Sequence, residues 1–256
     1  MEPGGAAATL PASPSHNAAD TRYPPGVVAV CCGELTRYRD FLRSYRQLLV
    51  PAGSKEGVLS SVYITENRNA ACETMLARPD LEWCFMLDDD HKFEPDLLLR
   101  LLALSYGSGF DVVSPIYLTR SPTTDRGEYP PVGGIFSIRR PCREHQTFDP
   151  ECLACPREIQ VRGLTWDDMP QFSPILERTD LYLVAGGILI RRRVVERLPQ
   201  PTFQVGRIHP GRVHEDVFFC VRAQLAGFRL AMDLSLGLGH TGRYTIWPKR
   251  DTLNGR

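Results

Sequence analysis

Three consecutive carboxylates, Asp88, Asp89 and Asp90, close the apolar run Leu81-Glu82-Trp83-Cys84-Phe85-Met86-Leu87. A buried strand that ends in acids repels itself unless a cation neutralises the charge. Hard oxygen ligands of this kind suit Mg2+ or Mn2+ carrying a substrate diphosphate. The plainer alternative is a solvated acidic turn, with Asp90 capping the helix that starts near Pro95.

Four other groups of residues could do chemistry. Glu215 and Asp216 follow His214 and open a helix, where carboxylates also gain from the macrodipole and cap free N–H groups. His240 lies in Gly237-Leu238-Gly239-His240-Thr241-Gly242, whose glycines permit close backbone approach; a surface-loop histidine is the alternative. Thr65-Glu66-Asn67-Arg68-Asn69 reads as a helix start carrying an arginine, suited to a phosphate or a nucleobase edge, or else a solvated helix face. Cys142 with His145 and Cys152 with Cys155 form two paired-ligand knuckles at the spacing of a structural Cys3His zinc site. Free cysteines in an irregular loop are the competing reading. The remaining cysteines, Cys31, Cys32, Cys72, Cys84 and Cys220, fall on expected strands and helix faces and read as small core residues.

These groups must be held by alternating strands and helices. Val27 to Cys31 reads as a strand, Tyr38 to Leu49 as a helix, and Val58 to Ile64 as a second strand. Thr65 is placed to cap a helix through Asn69 to Ala77, Trp83 to Leu87 forms the strand feeding the acids, and Pro95 opens a leucine-rich helix to about Leu104. Val112 to Ser114 returns as a strand. After a stretch rich in Pro, Gly, Arg and Cys, Leu181 to Ile190, helices from Arg192 and Glu215, and a strand near Arg229 to Met232 restore the pattern. Such alternation implies a mainly parallel sheet that binds ligands at the carboxyl ends of its strands, where the three acids lie.

Composition narrows the class. With 256 residues and 43% apolar content the chain can bury a substantial core, which excludes disorder throughout. Thirty basic residues balance thirty acidic ones, so no overall field draws the chain to nucleic acid or an anionic membrane. Residues 1–24, rich in Ala, Pro, Ser and Gly, read as a disordered leader without the basic region of an export signal. The expected location is cytoplasmic, without stable membrane insertion, and there eight cysteines serve as thiols or metal ligands before disulfides.

The order of parts resembles the nucleotide-sugar glycosyltransferases of GT-A fold, especially the family-two group of small bacterial and phage-type enzymes. Phe85 to Asp90 is similar to their DXD motif after a strand, Val184 to Arg192 to their Gly-containing segment, and His214 to Cys220 to their ED motif. The resemblance runs from about Val27 to Gly242. It implies a GT-A α/β sandwich over residues 25–256, with the cysteine-rich stretch at about 120–179 as an insertion. It further implies an inverting, metal-dependent transfer from a nucleoside-diphosphate sugar to an acceptor hydroxyl on a glycan, a protein or a modified DNA base. Asp88 would hold the donor ribose or a metal-bound water, Asp90 would ligate Mn2+ or Mg2+, and His240 would close the metal shell. Asp216 would be the general base, with Glu215 positioning the acceptor. Arg68, Asn69, Gly186 and Gly187 would line the donor. A nucleotidyltransferase using the same acids is the rival enzyme, but it would want a glycine-rich phosphate loop where Cys31-Cys32-Gly33-Glu34-Leu35 offers one glycine. A non-catalytic zinc-knuckle module on a transferase scaffold is the rival binding protein.

Overall fold

The protein is described by a computed structural model over residues 21–32, 39–122, 129–138, 159–208, 211–242 and 245–248. The first strand, β1 (Val27–Cys32), is buried along its whole length, as a strand of β-branched and small residues covered on both faces must be. Helix α1 (Arg39–Gln47) follows, then β2 (Lys55–Ser60), α2 (Ile64–Leu76) and β3 (Trp83–Asp88). The second strand starts three residues earlier than its apolar run suggests, because parallel pairing to β1 aligns Val27 with Lys55 and Cys32 with Ser60. Residues 61–63 then turn into α2, whose N-cap position is Tyr63, without a side-chain cap, and not the expected Thr65. Ser61 Oγ instead accepts the Tyr63 N–H at 3.2 Å.

Beyond the acids come the two-residue strand β4 (His91–Lys92), helix α3 (Leu97–Ser108) and β5 (Val112–Ile116). Gly109 ends α3 in the left-handed conformation, φ 71°, that a glycine adopts at no steric cost. The chain continues through β6 (Gly134–Ile138), β7 (Ile159–Gly163), β8 (Ile175–Glu177) and β9 (Leu181–Tyr182) to β10 (Gly187–Arg191) and α4 (Arg192–Arg197). The single strand expected over Leu181–Ile190 is two strands in two sheets. Leu181 and Tyr182 pair with β6, while β10 enters the main sheet antiparallel to β3. The last part holds the pair β11 (Gly206–Ile208) and β12 (Gly211–Val213), helix α5 (Glu215–Leu225), β13 (Leu230–Gly237), β14 (Gly239–Thr241) and β15 (Thr245–Ile246).

The main sheet has seven strands in the order β2-β1-β3-β10-β5-β13-β8. It is mainly parallel, as expected, with β10 and β8 running against the others. Alternate side chains of each strand feed two cores. Val27, Ala29, Cys84, Met86 and Ile188 pack with α2, α4 and α5, while Val28, Val30, Phe85, Leu87 and Leu189 pack with α1 and α3. The result is a sheet between two helical layers. The cysteines outside the knuckles sit in this core, and burial pushes the Cys72 thiol up to about 12.

One irregularity positions the site. Pairing of β13 with β5 slips between Asp233 and Gly237, opposite Pro115, which has no N–H for the ladder. Asp233 Oδ1 takes the Ser235 N–H at 2.9 Å and its hydroxyl at 2.6 Å, holding the bulge. Past the bulge, β14 pairs with β4 and brings His240 opposite His91.

Because Phe85 lies fully buried in a central strand, Phe85→Ala should lower unfolding free energy by about 3–5 kcal/mol in a urea titration. A cost of a few tenths of a kcal/mol would mean that this face of β3 is not packed as described.

Candidate functional site

The site lies at the carboxyl edge of the parallel strands. Asp88 ends β3 beside Cys31 of β1, and its N–H donates to the Gly186 carbonyl at 3.0 Å. Since β10 is antiparallel, Gly186 and Gly187 arrive at this same edge as the strand begins. Helix α2 is pinned here by Asn67, whose Nδ2 donates to the Cys32 carbonyl at 3.0 Å.

That helix delivers Arg68, whose side chain is 4% exposed, to three carboxylates. Its guanidinium pairs tightly with Glu215, lies 3.6 Å from Asp88 Oδ1, and lies 3.8 Å from Asp216 Oδ2. Burial alone would lower the Arg68 pKa, but Asp88, Asp216 and Glu215 together drive it further up. Burial raises the Asp88 carboxyl above the ordinary carboxylate value, against the pull of Arg68. Asp216 is held by backbone: Val217 N–H donates to Oδ1 at 2.7 Å and Ala185 N–H to Oδ2 at 3.3 Å. Asp216 thus satisfies a free N–H of the α5 start, as a helix-opening carboxylate can, while facing the acid cluster.

The second half of the site was less visible in the sequence. Donor atoms of Asp90, His91 and His240 all lie within 4.8 Å of one another. His91 is 1% exposed, its Nδ1 lies 2.9 Å from Asp90 Oδ1, and its ring also meets the Asp88 backbone. A buried imidazole held against a carboxylate in this way presents the mixed nitrogen and oxygen donors that a divalent ion accepts. His240 Nδ1 lies 2.8 Å from the Leu118 carbonyl, which must accept its proton and so leaves Nε2 as a lone pair. Burial first, and the neighbouring His91 next, push the His240 pKa down to about 4, so the ring is neutral at pH 7. Burial likewise lowers His91. The two rings stack with centroids 4.9 Å apart, and Tyr117 packs edge-on against both. A carboxylate and two neutral imidazoles fit a divalent cation that accepts mixed oxygen and nitrogen donors.

The glycines of Gly186-Gly187 serve this packing. A Cβ on Gly186 would lie 2.7 Å from His91 Cε1 and 2.8 Å from the Tyr117 hydroxyl oxygen, and one on Gly187 would lie 2.6 Å from Leu238 Cδ1. The Gly186 N–H also donates to the Tyr117 hydroxyl at 3.3 Å.

Of the expected site residues, Asp88, Arg68, Glu215 and Asp216 come together in one cluster, and Asp90 and His240 in the adjoining one. Asn69 has both amide atoms engaged with the Phe203 backbone, at 2.9 and 2.8 Å. Cys142, His145, Cys152 and Cys155 lie outside the described residues. His91, Tyr117 and Arg120, whose guanidinium pairs with Asp90 and donates to His240 Nε2, were not anticipated. The histidine directly follows the acids, a signal that was available, but its pairing with a strand about 150 residues away was not.

No protein-family model matches the chain, and no curated protein matches it in sequence. Solved structures do resemble it. A197 from STIV matches with a TM-score of 0.50 at 17% identity, over 85% of this chain and 86% of that one. GalNAc-T7, solved with UDP, GalNAc and Mn2+, matches with a TM-score of 0.50 at 11% identity, over 89% of this chain and 45% of that one. The fold is therefore of the GT-A type. Among the described residues no helix is long and apolar enough to cross a membrane.

Arg68→Met removes the guanidinium and leaves buried carboxylates facing each other, which should cost about 3–5 kcal/mol at pH 7. Without Arg68 the Asp88 carboxyl rises further. A folded-state pKa above the unfolded one gives stability that is present at low pH and lost as pH rises through the folded value. The deficit should therefore narrow between pH 7 and pH 5 in parallel urea titrations. A deficit that widens on acidification would mean that Arg68 does not balance these acids.

Proposed function

We propose that the protein is a metal-dependent inverting glycosyltransferase that moves a sugar from a nucleoside-diphosphate donor to an acceptor hydroxyl. The observation that carries this reading is the convergence of Asp90, His91 and His240 beside Asp88 and Asp216, at the carboxyl edge of a GT-A sheet. A divalent cation there would be held by Asp90, His91 and His240, with Asp88 directed to the donor ribose or a bound water. When bound, the cation neutralises the leaving diphosphate as a Lewis acid. Two imidazoles in the set favour Mn2+ over Mg2+, which prefers oxygen ligands throughout.

The chain's own residues then divide the work. Arg68 fixes the carboxylates of Glu215 and Asp216 against the end of β3. Asp216 takes the acceptor proton as the acceptor oxygen bonds to the anomeric carbon, and the bond from that carbon to the diphosphate oxygen breaks on the opposite face. Configuration at the sugar carbon inverts. Gly186 lets Tyr117 and His91 close beneath the donor and exclude water, while Gly187 makes room for Leu238. The acceptor is a hydroxyl on a glycan, a protein or a modified DNA base. The leader over 1–24, the single domain over 25–256 with a cysteine-rich insertion at about 120–179 whose knuckles are spaced for a structural zinc, and the cytoplasmic location rest on the sequence reading alone.

With Mn2+ present, UDP or GDP should raise the melting temperature, because a ligand that binds only the folded state stabilises it by mass action. His91→Gln and His240→Gln should each abolish the Mn2+-dependent part of that shift. A shift that survives both substitutions would remove the histidines from the metal site. Asp216→Asn should keep the shift yet lose sugar transfer by about 10²-fold or more, the scale of losing a general base. Transfer at a near-normal rate would place the base elsewhere.

A further inference from the structure

Arg120 occupies the ground that the cation needs. Its Nε donates to His240 Nε2 at 2.9 Å, and its terminal nitrogen Nη2 forms an ion pair with Asp90 Oδ2. Those two acceptor atoms are 3.6 Å apart, so one guanidinium straddles both. They are the lone pairs that would face a metal, since His240 Nδ1 is turned to the Leu118 carbonyl. A guanidinium and a divalent cation cannot share them, because each atom would have to serve two positive centres at contact distance.

The backbone explains why this arginine is there. Leu118 bridges to Pro131, Val132 N–H donates to the Tyr117 carbonyl at 2.8 Å, and Thr119 N–H donates to the Pro130 carbonyl at 3.0 Å. The stem of this loop is thus fixed beside His240, with Arg120 one residue beyond the last of these bonds. The side chain itself is 44% exposed and has solvent to turn into. An ion pair exposed at its arginine end is a weaker restraint than three converging ligands on a divalent ion.

We propose that Arg120 is an exchangeable occupant of the site: it neutralises Asp90 and caps His240 in the nucleotide-free protein, and yields both to the incoming cation. The displaced guanidinium then stands at the rim of the cation and grips the diphosphate that arrives with it, through a fork of N–H donors matched to phosphate oxygens. Arg120 is accordingly a donor-binding residue as well as a brake on metal uptake in the absence of nucleotide. This inference rests on the reading of Asp90, His91 and His240 as the cation site.

The test is Mn2+ uptake by wild type, Arg120→Met and Arg120→Lys, followed by the free-Mn2+ electron paramagnetic resonance signal, and then UDP affinity by calorimetry at saturating Mn2+. Without nucleotide, Arg120→Met should bind Mn2+ about threefold to fivefold more tightly than wild type, the worth of an exposed ion pair. With Mn2+ in place it should bind UDP about tenfold more weakly, as expected for the loss of a charge-assisted pair to phosphate. Arg120→Lys keeps the charge without the fork and should fall between the two proteins in both measurements. Equal or weaker Mn2+ uptake by Arg120→Met would overturn the exchange while leaving the metal site standing. Unchanged UDP affinity would overturn the diphosphate grip. Failure of all three proteins to take up Mn2+ would instead defeat the metal site itself.

Discussion

One buried guanidinium facing three carboxylates sets the terms for the rest of the site. Arg68 comes from α2, Asp88 from the end of β3, and Glu215 with Asp216 from the start of α5, so a single side chain ties three separate stretches of chain. Glu215 and Asp216 would be costly in the interior without it, and one arginine cannot answer all three carboxylates at full strength. The cluster stays short of positive charge. That shortage, met at Asp90 and His240 by Arg120 in this structure, is the electrostatic ground for proposing a cation at Asp90, His91 and His240.

The two histidines are held by different means, and both depend on distant elements. His91 is sealed under Tyr117 and Gly186, where any larger residue at 186 would collide with it. His240 reaches the site because β13 bulges opposite Pro115 and then hands the chain to β14, which pairs with β4. The Leu118 carbonyl fixes its tautomer. Donor identity and ring orientation are therefore properties of the sheet edge as a whole.

Much of this was legible in the sequence, and the boundary between what was and was not follows physical lines. The apolar run from Leu81 to Leu87 and the acids after it announced β3 and its functional end, because a buried strand and a sharp change of polarity are both local signals. The helix at Glu215 was likewise visible. The start of α2 was misplaced, since Thr65 looks like a cap while the turn is made by Ser61 and Tyr63 under the parallel register of β2. The split of Leu181–Ile190 into two strands could not be read from an apolar run, which looks the same whether one sheet or two receive it. Asn69 holds the Phe203 backbone with both amide atoms, a contact that no local pattern announced, and His91 gained its place through pairing across the chain. Arg120 falls in a stretch without periodicity, so nothing local marked it.

The most direct test of the account is an anomalous difference map at the manganese edge for crystals grown with Mn2+ and UDP. The account predicts one strong peak bounded by Asp90, His91 and His240, at bond lengths of about 2.0–2.3 Å, with Arg120 turned away from His240. A peak seated between Asp88 and Asp216, with Arg120 still bridging Asp90 and His240, would contradict it.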